Sequence, residues 1–150
     1  MRRIKEWNQD WKFSRSAETE GEKVAIPHTW NALDGQDGGD DYYRGQGYYT
    51  KEFPCPQMEE GEQVYLECAG VANSASVSLN GKELCRHDGG FSTFRVNLTP
   101  ELKETNRLTV IADNSVNDRV YPQKADFTFY GGVYRDVRLA VVPRVHFSMD

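Results

Sequence analysis

Long apolar runs are missing from this chain. Its most hydrophobic stretch, Leu139-Ala140-Val141-Val142, falls far short of the roughly 20 residues that cross a membrane as a helix. Where the apolar core of a secretion signal would stand, Met1-Arg2-Arg3 is followed by Ile4-Lys5-Glu6-Trp7-Asn8. Basic clusters are equally scarce. Lys and Arg number 18 against 23 Asp and Glu, a net charge of -5 over 150 residues. That balance excludes the footprint of a nucleic-acid binder and offers no basic patch to a membrane surface. Cysteine is sparse too: Cys55, Cys68 and Cys85 are odd in number, lack zinc-ligand spacing and stand apart from the three His. Free thiols and a cytoplasmic protein are the expectation. Sustained helical periodicity is also lacking.

What is present is aromatic and turn-rich. Hydrophobic residues make up 38% and aromatics 12%, with 13 Gly and 6 Pro, the composition of one β-rich globular domain. Period-2 alternation recurs, most clearly in Ser74–Leu79, where Ala75, Val77 and Leu79 share one face. Asn80-Gly81 follows, the strongest short hairpin signal because both residues tolerate positive φ, and Lys82–Arg86 is the expected return strand. Further strands are expected at 24–26, 48–53, 63–68, 93–98, 107–113 and 135–142, with Asn97-Leu98-Thr99 a strand end rather than a glycosylation site. Thr99 is a candidate cap for a short helical turn through Lys103. After Pro143 the segment 145–150 resembles the start of another strand, so the chain reads as part of a larger protein cut at a domain edge. Strands at this spacing predict an all-β fold: two antiparallel sheets packed as a jelly roll or related β-sandwich.

Chemistry is harder to find. Gly-x-Ser-x-Gly, the P-loop and the dinucleotide fingerprint are absent. His28 reads as a loop or core histidine and His87 as a turn residue, neither with an evident nucleophile beside it. Asp34, Asp37, Asp40 and Asp41 crowd a Gly-rich loop, but their spacing does not fit an EF-hand, so a solvated acidic loop is expected. The most distinctive segment is Asp126-Phe127-Thr128-Phe129-Tyr130-Gly131-Gly132-Val133-Tyr134-Arg135-Asp136-Val137. Sugar recognition needs carboxylates that accept hydroxyl protons and aromatic faces that cover the apolar side of a ring. An Asp, four aromatics and a Gly-Gly pair before a strand suit the rim of such a site; aromatics that simply fill the core are the competing reading.

That segment closely resembles the signature near the end of the N-terminal domain of glycoside hydrolase family 2, which includes β-galactosidases, β-glucuronidases and β-mannosidases. The resemblance extends to Asn8–Phe13, Ile26–Asn31, Tyr48–Phe53 (with Tyr48 and Thr50 in place of the family's Trp and Arg), Gly70–Lys82, His87–Phe91 and Leu108–Asn114. It implies a galactose-binding-domain-like jelly roll without catalytic residues of its own. The parent enzymes are retaining glycosidases, whose two glutamates, about 5–5.5 Å apart, lie in a later barrel. In the family, the position of Asp126 contributes a carboxylate to the sugar pocket, and in some β-galactosidases it also touches a monovalent cation.

By the same resemblance, Phe127 and Tyr130 pack between loop and barrel and line the pocket in part. Gly131 and Gly132 permit the turn that aims Asp126, while Arg135 and Asp136 brace the strand through a salt bridge and backbone hydrogen bonds. Sugar contacts from around Tyr49 and Thr50 are conceivable. The expected function is thus the non-catalytic N-terminal domain of a homo-oligomeric β-galactosidase, shaping the pocket for a β-galactoside and docking the downstream immunoglobulin-like and barrel domains. Alternatives are the corresponding domain of a β-glucuronidase or β-mannosidase, a free-standing carbohydrate-binding module, or a purely structural oligomerisation domain.

Overall fold

The computed structural model describes residues 1–34, 42–122 and 128–149. They form ten strands: β1 (Arg3–Glu6), β2 (Trp11–Ser14), β3 (Glu22–Val24), β4 (Gln46–Pro54), β5 (Gln63–Cys68), β6 (Ser74–Leu79), β7 (Lys82–Asp88), β8 (Phe94–Asn97), β9 (Thr105–Asp113) and β10 (Val137–Val142). Two antiparallel sheets result, a four-stranded one in the order β1-β10-β5-β8 and a six-stranded one in the order β3-β2-β4-β9-β6-β7. The architecture is a galactose-binding-like β-sandwich.

Alternation explains how the sheets meet. In β9, Asn106, Leu108, Val110 and Ala112 face inward, while Arg107, Thr109 and Ile111 face out. In β6 the buried set is Ala75, Val77 and Leu79, opposite Ala112, Val110 and Leu108 in register. Across the sandwich, Val64, Leu66 and Cys68 of β5 and Val137 and Leu139 of β10 close the same core. The Asn80-Gly81 hairpin takes positive φ at both residues, 53° and 86°. The Asn80 side chain then ties the turn to its neighbours, donating to Glu101 O (2.8 Å) and Asn106 Oδ1 (3.0 Å) and accepting from Arg107 N (2.9 Å).

Several expectations need correction. β1 and β2 were not anticipated: β1 is exposed at every position and belongs to the sheet through backbone pairing with β10, which leaves no apolar pattern to read. β3 lies two residues earlier than expected; β10 keeps the end expected at Val142 and begins at Val137, whose N–H donates to the Asn8 side chain (2.8 Å) at the head of the ladder. No strand forms over residues 143–149. Instead the chain turns, with the His146 ring bonded to Pro143 O (2.8 Å), and Met149 packs on Ala140, Val142 and Tyr65. Thr99 starts a 3-10 turn (Thr99–Glu101) without capping it; its hydroxyl accepts from Val64 N (2.8 Å). His87 lies within β7, its ring stacked on Phe94 at 4.4 Å.

Candidate functional site

The pairing registers send residues 42–45, 69–73, 89–93, 114–122 and 128–136 out of the same end of the sandwich, and the hydrogen bond from His28 N to Val133 O brings residues 28–34 to it. This end carries exposed apolar side chains from several parts of the chain: Leu33, Phe91, Val116, Tyr121 and Tyr130.

At the centre is a buried amide pair, Asn31 and Asn114, both 0% exposed. Asn31 Oδ1 accepts from Gly131 N (2.7 Å) and from Asn114 Nδ2 (3.1 Å). Asn31 Nδ2 donates to Tyr43 O (2.8 Å) and Asp34 Oδ2 (2.5 Å). Asn114 Nδ2 also donates to Phe129 O (2.8 Å), while its Oδ1 accepts from Gly45 N (2.8 Å). Two side chains thus fasten three loops, around 31, 43–45 and 129–131. The Tyr42 hydroxyl adds a clasp, donating to Phe129 O (2.8 Å) and accepting from Phe129 N (2.5 Å). Arg44 lies over the Phe129 ring at 4.6 Å and donates to Asn114 O (2.8 Å).

The Gly-Gly pair is a steric requirement of this arrangement. A Cβ on Gly131 would stand 2.0 Å from the Trp30 ring, and one on Gly132 would meet His28 O at 2.5 Å. Gly132 also holds φ at +130°, a region hostile to other residues. Below it, His28 N donates to Val133 O (2.8 Å), and the His28 ring Nδ1 bonds the Tyr49 hydroxyl (2.7 Å). Desolvation lowers the His28 pKa, so the imidazole is neutral at pH 7, and burial pushes the Tyr49 phenol well above its ordinary value. The pair acts as a neutral strut, in line with the reading of His28 as a core histidine.

Among the expected site residues, Tyr130 stands on this end, 43% exposed, with its backbone N–H on Thr128 O (3.1 Å). Asp126 and Phe127 lie outside the described residues, as do Asp37, Asp40 and Asp41. Asp34 departs from the solvated acidic loop that was expected, because it accepts from Asn31 and from Tyr43 N (3.1 Å) and closes the loop base. Tyr49 faces the core at 0% exposure, so it offers sugar no contact, while Thr50 faces the outside of the sheet. Asp136 braces as expected, accepting from Asn8 Nδ2 (3.0 Å) and lying 3.6 Å from Arg138. Arg135 instead covers the Tyr134 ring at 5.2 Å and donates to Phe91 O (3.2 Å). Sequence reasoning missed the Asn31–Asn114 pair; both residues close motif segments, but nothing local marks two distant amides as partners. Among the described residues, no three His, Cys, Asp or Glu side chains gather as metal ligands.

The geometry can now be set beside known proteins. Residues 42–142 match the model of the glycosyl hydrolase 2 galactose-binding domain-like family. The chain belongs to that family. A β-glucuronidase from Bacteroides fragilis is 38% identical over 138 residues, 89% of this chain and 20% of that protein. A β-galactosidase from Thermoanaerobacter pseudethanolicus is 28% identical over 144 residues, 93% of this chain and 19% of that protein. The crystal structure of an FMN-binding β-glucuronidase from Facaelibacterium prausnitzii superposes with a TM-score of 0.92 at 42% identity, covering 100% of this chain and 24% of the other. The chain thus spans about a fifth of the length of the curated relatives it matches.

Proposed function

We propose that this chain is the non-catalytic N-terminal domain of a retaining family 2 β-glycosidase, where its loop end forms one wall of the sugar pocket and docks the catalytic barrel. The family match carries this reading, together with relatives about five times as long, whose remaining length accommodates a barrel and its two glutamates. In that setting the Asp126 carboxylate accepts hydrogen bonds from sugar hydroxyls, and Phe127 and Tyr130 supply apolar faces toward ring and barrel. The Asn31–Asn114 pair holds the base of this wall rigid, which lowers the entropy cost of ordering it around a ligand.

On the choice of sugar, the similarities favour a β-glucuronide over the β-galactoside expected from the sequence. The two β-glucuronidases named above are 38% and 42% identical to this chain, the β-galactosidase 28%. A cytoplasmic, homo-oligomeric parent enzyme completes the proposal. The test is to express the gene together with its downstream sequence and compare p-nitrophenyl β-glucuronide with p-nitrophenyl β-galactoside. The full-length protein is expected to turn over the glucuronide preferentially, and the 150-residue chain to turn over neither. Turnover by this chain alone, proportional to protein and surviving repurification, would overturn its non-catalytic assignment. Preference for the galactoside would overturn the choice of sugar.

A further inference from the structure

The middle of the outer face of the six-stranded sheet carries short hydroxyl side chains, with long charged ones only around them. Reading outward positions across the register, Lys12 of β2 stands beside Thr50 of β4, Thr50 beside Thr109 of β9, and Thr109 beside Ser78 of β6. Three successive small hydroxyl residues therefore floor the middle of the sheet. One step toward the loop end, Tyr48 and Ile111 stand opposite each other, both part-exposed, and form an apolar shelf. One step the other way, Glu52 faces Arg107. The result is a trough of about 750 Å³, within the size range of small-ligand sites.

One wall of the trough is built in advance. Residues 15–21 fold back on themselves: Ser16 N donates to Ser14 Oγ (3.0 Å), Glu18 N to Ser16 Oγ (3.2 Å), and the Ser14 and Thr19 hydroxyls bond each other. The wall is fixed to the floor by the Lys12–Glu20 ion pair at 2.8 Å. At its base, Gly21 lies so close to the Phe13 backbone that a Cβ there would come within 2.7 Å of Phe13 O.

Several polar groups of the floor are uncommitted. Among the described residues, the hydroxyls of Thr50, Thr109 and Ser78 have no hydrogen-bond partner, and the Glu52 and Arg107 side chains form no ion pair. From these features we infer that the trough is a glycan-binding surface, taking an uncharged, extended oligosaccharide across the strands. A flat floor spanning β2, β4, β9 and β6 is about 14 Å wide and accepts an extended chain. Ser and Thr hydroxyls, a carboxylate and a guanidinium together donate to and accept from sugar hydroxyls, and the Tyr48–Ile111 shelf receives a ring's C–H face. Charge disfavours an anionic ligand. Lys12 is already paired with Glu20, and Lys51 is turned away over the Trp7 and Trp11 rings, which leaves Arg107 alone against Asp10, Glu18 and Glu52. The inference does not depend on the function proposed for the loop end.

The experiment is a titration of the isotope-labelled 150-residue chain, followed by amide chemical shifts, with cellohexaose, xylohexaose and mannohexaose as neutral probes and hexagalacturonate as the anionic one. At least one neutral probe is expected to give saturable shifts at Tyr48, Thr50, Thr109 and Ser78. Thr109→Arg, which fills the floor, should weaken that binding roughly tenfold or more, with the fold checked by circular dichroism. Thr109→Val keeps the shape without the hydroxyl, decides the matter if the arginine variant does not fold, and should weaken binding a few-fold. Three results would overturn the proposal: no shifts from any neutral probe at millimolar concentration, shifts confined to Tyr130 and Gly131, or tighter binding of hexagalacturonate than of every neutral probe.

Discussion

His28 is enclosed by the Phe13 ring at 4.8 Å and the Tyr49 ring at 5.5 Å, with one ring nitrogen on the Tyr49 hydroxyl. Burial lowers its pKa in the fold, so below the ordinary imidazole value of 6.5 the unfolded chain binds a proton that the folded chain resists. Stability should therefore decline as pH falls through 6.5 and continue to decline until the depressed folded value is reached. His28→Asn, which keeps a polar atom toward Tyr49, is expected to flatten that part of the Tm-against-pH profile; an unchanged slope would show that another group titrates there. The thiols offer a second check at this scale. Cys55 is exposed, Cys85 partly covered and Cys68 buried, and burial raises the thiol pKa at both Cys85 and Cys68. Reaction with Ellman's reagent should run in the order Cys55, Cys85, Cys68, the last only on unfolding. Fewer than three free thiols in the denatured, unreduced protein would contradict the assignment.

Among the elements, the strands legible in the sequence are those with a buried face. β5 and β6 have the expected bounds because apolar residues alternate or run together there, and the Asn-Gly turn between β6 and β7 is a local signal. β1 was invisible because an edge strand can be held by backbone hydrogen bonds alone, and nothing in Arg-Ile-Lys-Glu announces that. The loop end was legible in part. The Gly-Gly pair pointed to a turn, yet the reason for it, the Trp30 ring and the His28 carbonyl, lies about 100 residues away in sequence. A separation of 83 residues likewise hides the Asn31–Asn114 pair. Replacing Asn31 with Leu leaves the Gly131 N–H and an Asn114 N–H without their acceptor and removes two donors. At about 1–3 kcal/mol for each buried group left unpaired, the loss should be about 3 kcal/mol, or roughly 6–12 °C in Tm. A melting temperature within a degree or two of the parent would mean that the pair does not fasten the loops.

Taken whole, the molecule divides its sequence between a sandwich that needs no ligand to be understood and a loop end whose exposed Leu33, Tyr121 and Tyr130 have no part in the core. That division suits the role proposed beside a larger enzyme: a rigid body with exposed apolar side chains at one end. The central claim is that Asp126 serves the sugar rather than the fold, and the kinetics of Asp126→Asn in the full-length enzyme test it most directly, with Asp136→Asn as the internal control. Asp136 holds Asn8 and Arg138 beside the strand, so its loss should lower Tm more than it lowers activity. Charge-assisted hydrogen bonds contribute about 1.5–3 kcal/mol, so Asp126→Asn should reduce kcat/KM by roughly tenfold to more than a hundredfold while Tm moves by only a few degrees. Unchanged kinetics in Asp126→Asn, with activity abolished in a folded Asp136→Asn, would contradict the account.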